Sequence, residues 1–324
     1  MRPAIVSLIS TVQISRLAHA FAGVASLWFV ILWVRAAQDL EPANPTLHSA
    51  PLWVLLGLAA AIGVGMSTYA GALNDVFDFR RDQTFAPSRP IPAGRVSVRS
   101  ATIVGFSSLI VSMLAASTLG AASFLTCVFC ASSILFYNTT ARHVPSLGLL
   151  TVALIYGSHM LIVSPGMRFI WPVLLVMIHA AAVNAAVYRL EEKRPKLTVL
   201  TAIGFGIGYL LLALAVVYQA GHEGPLWRNA YEWYGLVWPA FAVTVFIYSA
   251  FSKARFASSP TFAAEKLQRY GSLWIGLYGV AWLLGGALYR ESLILGLLVT
   301  LGILWMIFVR DLGAWIEQPV GYRW

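Results

Sequence analysis

Long, almost uninterrupted apolar runs are the feature of this sequence that most limits how the chain can fold. Ten runs are long enough, or nearly so, to cross the ~30 Å hydrocarbon core of a bilayer with about 20 helical residues each. Charged residues make up only 11% of the chain, against roughly 25% in soluble domains. Because lipid cannot hydrogen-bond the backbone, and because strict apolar–polar alternation is absent, the runs predict helices and not a β-barrel. The predicted spans are residues 17–37, 52–73, 101–119, 121–137, 147–164, 170–188, 198–219, 234–252, 272–289 and 293–311.

These runs leave no room for a soluble domain. We predict one all-α membrane domain over residues 1–324, a polytopic bundle of nine or ten transmembrane helices. The third and fourth runs are joined by a tight turn near Gly120. The last two runs meet at Arg290–Glu291 and are either two spans or one span and a re-entrant piece. Residues 1–15 are predicted to form a short segment at the membrane interface.

The net charge of +9 reflects membrane topology and not nucleic-acid binding. With a cytoplasmic N-terminus and ten spans, only four of the 22 lysine and arginine residues fall on the far side, which leaves 18 on the cytoplasmic side. This is the asymmetry of the positive-inside rule. We therefore expect a multi-pass protein of the cell (inner) membrane whose polar loops are cytoplasmic, with membrane lipids as neighbours and no nucleic acid as a partner.

The strongest polar pattern directly follows the second apolar run. If the helix continues, Asn74, Asp78 and Asp82 share one face at i, i+4 and i+8, and Asp75 lies beside them. Converging carboxylate and amide oxygens suit a hard cation. Mg²⁺ in particular is commonly held by one or two carboxylates together with substrate phosphate oxygens.

Arginines surround this acidic segment. They lie at positions 80, 81, 89 and 95. Because the planar guanidinium group matches phosphate oxygens, acids and arginines together predict a site for a metal ion and a diphosphate. Spacing alone leaves one alternative open, a solvated loop in which the aspartates and arginines neutralise one another.

The run NDVFDFRRD at residues 74–82, followed by RPIPAG at residues 89–94, resembles the first signature of the UbiA superfamily of intramembrane prenyltransferases. That signature reads NDxxDxxxD with a segment like RPLPAG, and the resemblance extends in span order from about residue 10 to about residue 290. It implies a helical bundle around a central cavity that opens laterally to lipid. It also implies Mg²⁺-dependent transfer of a prenyl group from a prenyl diphosphate to an aromatic or other lipophilic acceptor. In this resemblance, Asn74, Asp75, Asp78 and Asp82 bind Mg²⁺, the three aspartates are catalytic, and Arg81, Arg89 and Arg142 bind diphosphate.

The second acidic motif of the family is less complete here. It corresponds to residues 184–198, where Asn184 and Glu191 stand at acidic positions, Val187 replaces an aspartate and Pro195 replaces a glycine. Asn184 and Glu191 are therefore the candidate ligands of a second metal ion. The charged residues around Glu191 equally fit a self-neutralising cap at the end of the sixth span.

A third family feature, a tyrosine near a basic pair, follows the fourth span. Tyr137 and Arg142 match it, and the resemblance makes Tyr137 catalytic, while Ala141 stands in place of the expected lysine. The departures from the family pattern motivate a second prediction, a non-catalytic protein of the same fold that binds or transports an isoprenoid or pigment precursor. A secondary transporter would show an internal repeat, and neither half of the chain reproduces the pattern of residues 74–95.

Overall fold

The computed structural model describes residues 17–38, 40–41, 45–87, 89–192, 195–222, 224–227 and 232–315, and all regular structure within them is helical. The interfacial segment predicted for residues 1–15 lies outside the described residues. Two short helices are α2 (Pro45–Ser49) and α4 (Phe79–Phe85). The long helices are α1 (Leu17–Ala36), α3 (Leu52–Phe77), α5 (Val98–Thr118), α6 (Ala121–Thr139), α7 (Pro145–Leu161), α8 (Trp171–Leu190), α9 (Val199–His222), α10 (Val237–Arg255), α11 (Pro260–Gly285) and α12 (Tyr289–Trp315).

The long helices confirm the predicted apolar runs in number and order. In the described part of the chain, seven helices are long and apolar enough to cross a membrane, and residues 20–36 and 145–161 form shorter apolar helices. The predicted tight turn is present at Gly120, whose φ of 124° is unfavourable for other residues. Arg290–Glu291 lie in the first turn of α12, so the last two runs form two separate helices. This is the architecture of a multi-pass membrane protein.

One predicted boundary is wrong. α11 begins at Pro260, twelve residues before the run expected at 272–289. The helix is capped by Ser259, whose side chain accepts a hydrogen bond from the backbone N–H of Phe262, and proline is favoured in the first turn. The charged residues that follow, Glu265 among them, concealed this start because the prediction relied on apolar length alone.

α1 lies at the centre of the bundle, where it packs against α3, α7, α11 and α12. Its side chains are apolar and largely buried on every side, as expected for a helix with neither a lipid-facing nor a water-facing surface. Near its end, the ring of Trp33 stacks on Phe169 from the loop between α7 and α8, with the ring centroids 4.2 Å apart. α1 thus connects the first half of the bundle to the second.

A close contact between α3 and α5 depends on Gly65. A Cβ atom placed there would lie 2.6 Å from the carbonyl oxygen of Ser108 and would clash with the Ser112 hydroxyl. The backbone of α5 cannot retreat without disturbing the whole helix pair. Small residues at such positions let membrane helices approach closely.

Replacing Gly65 with alanine is therefore expected to destabilise the fold by about 2 kcal/mol, the usual effect of overpacking. Gly57→Ala is the matched control because Gly57 lies in the same helix and nothing stands within 4 Å of its added Cβ. That variant should be neutral or up to about 1 kcal/mol more stable, since alanine favours helix. Unfolding in mixed detergent micelles measures the free energy of unfolding of both variants. Equal stability of the two variants would contradict the close α3–α5 contact.

Glu41 joins two loops at one end of the bundle. It is buried in the loop after α1, and its carboxylate accepts hydrogen bonds from Trp33 Nε1 at 3.0 Å and from the backbone N–H groups of Arg168 at 2.8 Å and Phe169 at 3.2 Å. Burial raises the pKa of Glu41, while these N–H donors oppose the rise. The α1–α3 loop is thereby held against the α7–α8 loop. We call the end of the bundle that these two loops cover the closed end. Because successive helices alternate in direction, it is opposite the end that carries residues 74–95.

Candidate active site

The acidic segment is positioned by the helical end of α3. α3 continues past the apolar run to Phe77, and the chain then bends at Asp78 into α4. The backbone N–H of Asp78 donates to the carbonyl of Asn74 at 2.9 Å, and that of Asp82 donates to the carbonyl of Asp78 at 2.8 Å. The helical path is therefore nearly continuous, which keeps the predicted i, i+4, i+8 relation. Asp78 and Asp82 are buried, while Asn74 and Asp75 are half-buried.

Two arginines reach into this acidic segment from different parts of the chain. Arg142, in the short turn after α6, donates from Nη1 to Asp78 Oδ1 at 2.7 Å. Arg89 forms an ion pair with Asp82, and its Nη1 lies 3.8 Å from Asp75 Oδ1. The structure thus brings together three predicted metal-binding aspartates and two predicted diphosphate-binding arginines. We call this group of five side chains the acid–arginine cluster.

Arg81 lies outside the acid–arginine cluster. This third predicted diphosphate-binding arginine is exposed on α4, as is its neighbour Arg80. α4 continues the path of α3, so successive residues point around the helix. Asp82 faces inwards and Arg81 faces outwards. The sequence motif groups Arg81 with Arg89, but the fold separates them.

The electrostatics of the cluster favour an additional cation. Burial raises the pKa of Asp82, and the neighbouring carboxylates of Asp78 and Asp75 raise it further, although Arg89 lowers it. Burial is therefore the main reason why the charged form of Asp82 is disfavoured, and a bound cation would offset that penalty. In the described part of the chain, no three Asp, Glu, His or Cys side chains stand close enough to form a ready metal site. The donors are nevertheless hard oxygens of the kind that Mg²⁺ prefers, and in this respect they fit the ion.

Tyr137 connects the first motif to the second. Its hydroxyl lies close enough to Asn184 on α8, to Arg142 and to Asp78 for each of them to act on it electrostatically. Tyr137 and Asn184 therefore lie near the acid–arginine cluster. The next residue, Asn138, did not stand out in the sequence. It is buried, and its Oδ1 has no hydrogen-bond partner among the described residues.

Only some residues of the second motif present polar side chains in the folded structure. Val187, at the position where the family has an aspartate, is buried against Ala264 and Leu267 of α11. This position is a packing site and contributes no ligand. Glu191 is half-buried at the C-terminal end of α8, two turns beyond Asn184.

An apolar groove runs between α7, α8 and α9 at the same end of the bundle. It encloses about 210 Å³ and lies beside Ala181 and Ala185, near Asn184 on α8. By contrast, the space between Phe29, Met160 and other side chains at the centre of the bundle does not admit a water molecule. The lateral groove therefore offers room for an apolar tail. The groove is lined by Leu149, Ile178, Ala181, Ala182, Ala185, Leu197, Thr198, Thr201, Ala202 and Phe205.

Comparisons with known proteins place the first motif, and the second motif as far as residue 194, inside a family match. The model of the UbiA prenyltransferase family matches residues 27–194. The digeranylgeranylglyceryl phosphate synthase of Metallosphaera sedula is 26% identical over 238 residues, which cover 69% of this chain and 82% of that protein. The enzyme of that name from Methanosarcina barkeri is 29% identical over 133 residues, 41% of this chain and 44% of that protein.

A plant protein and a solved structure are also similar. The chloroplastic 2-acylphloroglucinol 4-prenyltransferase of Humulus lupulus is 34% identical over 89 residues, 27% of this chain and 21% of that protein. The chain therefore spans less than half of the Methanosarcina and Humulus proteins that it matches. A solved structure of digeranylgeranylglyceryl phosphate synthase superposes with a TM-score of 0.56 at 18% identity, covering 86% of this chain and 98% of that one. This likeness concerns the fold.

Proposed function

Because this chain belongs to the UbiA prenyltransferase family, we propose that it transfers a prenyl group from a prenyl diphosphate to a lipophilic acceptor within the membrane. The observation that carries the proposal is the acid–arginine cluster, which lies at the same end of the bundle as an apolar groove. A prenyl diphosphate has the same two parts, a charged head and an apolar tail. The site would face the cytoplasm, in keeping with the distribution of basic residues.

In this proposal, the charged residues exchange partners when the donor binds. Asn74, Asp75, Asp78 and Asp82 would hold Mg²⁺, which supplies charge neutralisation for the leaving diphosphate when bound. Arg89 and Arg142, released from the carboxylates, would donate to diphosphate oxygens. The ion pairs of the free protein keep both sets of groups in place and neutralised until then.

Tyr137 would act on the carbon side of the bond that breaks. Its position beside Asn184, Arg142 and Asp78 places the Tyr137 side chain at the edge of the cluster. An aromatic face at this place can stabilise the allylic carbocation that forms as diphosphate departs. Asn184 would thus orient Tyr137, in addition to offering an oxygen to a second metal ion with Glu191.

The groove fits a lipophilic tail but does not restrict the acceptor to one chemical class. Its lining is mainly alanine and other apolar side chains, which suit an isoprenoid chain. The curated relatives carry names that refer to a glyceryl phosphate lipid and to an acylphloroglucinol, so related chains differ in acceptor. We propose an aromatic or other lipophilic acceptor that reaches the site from the bilayer.

One observation favours the second candidate, a non-catalytic protein that binds or transports an isoprenoid. The burial of Val187 against α11 removes one oxygen ligand from the second motif, which weakens a second metal site. Both candidates predict binding of an isoprenoid ligand, and turnover is the property that separates them.

Binding of dimethylallyl, farnesyl and geranylgeranyl diphosphates to the purified full chain in detergent tests the site. With Mg²⁺ we expect affinity to rise with chain length, because the longer tails bury more apolar area. A chelator, or Asp82→Asn, should weaken binding by at least about tenfold, the effect of one lost charged contact. Glu192→Gln is the matched control, since Glu192 is exposed at the same end. An affinity that changes neither when Mg²⁺ is removed nor when Asp82 is replaced would contradict the proposed site.

A further inference from the structure

A second charged group lies at the same end of the bundle, where α10 and α11 meet. Between residues 248 and 272 the chain carries Lys253, Arg255, Lys266 and Arg269 but only one acidic residue, Glu265, so four positive charges and one negative charge leave a net charge of +3. None of these residues belongs to the UbiA motifs. We call the four cations together with Tyr270 the basic–aromatic cluster.

Three of the cations lie around the Tyr270 side chain. Lys253 Nζ, from α10, lies 4.0 Å from the centroid of the Tyr270 ring. The guanidinium carbon of Arg269 lies 5.5 Å from the same centroid, and Lys266 is near enough to act on the Tyr270 hydroxyl electrostatically. Positive charges gathered at one place repel one another, and an anion in their midst would relieve the repulsion.

Aromatic rings also lie beside Lys266 and beside the fourth cation, Arg255. Lys266 Nζ stands 4.2 Å from the ring centroid of Phe262, and the Arg255 guanidinium carbon stands 5.8 Å from that of Phe256. Cations over aromatic faces keep their charge while the ring replaces part of their hydration shell. Phe256 is itself 78% exposed. Basic and aromatic side chains in this combination are typical of the interface between lipid and water.

The position of the cluster favours a lipid over a soluble anion. α10 packs mainly against α11, and the large side chains Phe241, Tyr248 and Phe251 are exposed along its length. This apolar surface suits lipid tails, and it ends just before Lys253. The cluster therefore lies where the phosphate groups of lipids stand when their tails cover α10.

We propose that the basic–aromatic cluster binds the phosphate headgroup of an anionic membrane lipid of the phosphatidylglycerol type. The Tyr270 hydroxyl and the Lys253 ammonium would donate to the phosphate, and Lys266 and Arg269 would balance its charge.

Native mass spectrometry of the full chain, titrated with phosphatidylglycerol in detergent, tests this proposal. The triple variant Lys253→Gln, Lys266→Gln, Arg269→Gln should bind the lipid about tenfold or more weakly, since each surface cation contributes to attraction of anionic lipid. The matched control is the triple variant Arg99→Gln, Arg189→Gln, Lys196→Gln, which removes three exposed cations outside the cluster. It should retain the affinity within about twofold.

Further arms separate the possible outcomes. Tyr270→Phe removes one oxygen and leaves the helix packing intact, so it should weaken lipid binding even where the triple variant fails to fold. Phosphatidylcholine, whose phosphate is balanced by choline, should bind more weakly than phosphatidylglycerol. Equal losses in the two triple variants, an unchanged affinity in Tyr270→Phe, or equal competition by inorganic phosphate would each overturn the assignment.

Discussion

Replacing Asp78 with asparagine should lower prenyl transfer by at least about a hundredfold at saturating Mg²⁺, the usual effect of removing one preorganised charged group from a reaction site. The Asp78 carboxylate is buried and paired with Arg142 at 2.7 Å, so it joins the end of α3 to the turn after α6. Asparagine keeps the volume of the side chain and removes the charge that a metal ion would need. The measurement is transfer from labelled geranylgeranyl diphosphate in membranes that supply lipophilic acceptors.

A double variant separates chemistry from folding. Asp78→Asn leaves Arg142 without its carboxylate, which can destabilise the protein as well as the reaction. Adding Arg142→Gln removes the unpaired charge and should restore thermal stability but not transfer. Wild-type activity in Asp78→Asn would exclude this carboxylate from the reaction. Absence of turnover in the wild-type chain, with Mg²⁺-dependent donor binding intact, would support the non-catalytic candidate.

The second large effect is expected at Arg89. Its guanidinium group pairs with Asp82 and lies near Asp75, where a diphosphate could take over its hydrogen bonds. Arg89→Gln should weaken donor binding by about thirtyfold, in line with the roughly 1.5–3 kcal/mol of a hydrogen bond to a charged group. Titration of the purified chain with farnesyl diphosphate in Mg²⁺ measures the effect.

Arg81→Gln is the matched comparison for Arg89→Gln. Both arginines belong to the same sequence motif, and both substitutions remove one positive charge. Arg81 is exposed on α4, so its loss should change donor binding by less than about threefold, the range of a screened surface charge. Equal losses in the two variants would show that α4 rotates when the donor binds and brings Arg81 to the diphosphate. The grouping of Arg81 with Arg89 in the sequence motif would then describe the bound state and not the free structure.

Local spacing predicted the acidic half of the site well. Asn74, Asp78 and Asp82 share a helical face in the sequence, and the structure keeps that relation because α3 and α4 follow a nearly continuous helical path. The helices themselves were evident from apolar length. The start of α11 was not, because its first turns carry charge and only the Ser259 cap marks them.

The remaining features depend on contacts between distant segments, which spacing cannot report. The pairing of Arg142 with Asp78 joins residues 64 positions apart. The contrast between Arg81 and Arg89 arises from the direction of α4 and from the turn that follows it. Glu41 had no pattern around it at all, since a single glutamate in a loop gives no signal until its three hydrogen-bond donors are known.

The hydrogen bonds of Glu41 also impose an order on biosynthesis. Glu41 and Arg168 are 127 residues apart, so at roughly 5–20 residues per second the ribosome needs about 6–25 s to supply the second partner after the first. During that interval Trp33 is the one donor of the three already synthesised, and water or lipid headgroups must satisfy the rest of the carboxylate. Asn184 follows Arg168 by 16 residues, so the donors for Glu41 leave the ribosome before the last residues of the site. In a nascent chain the closed end of the bundle can therefore form before the end that carries the chemistry.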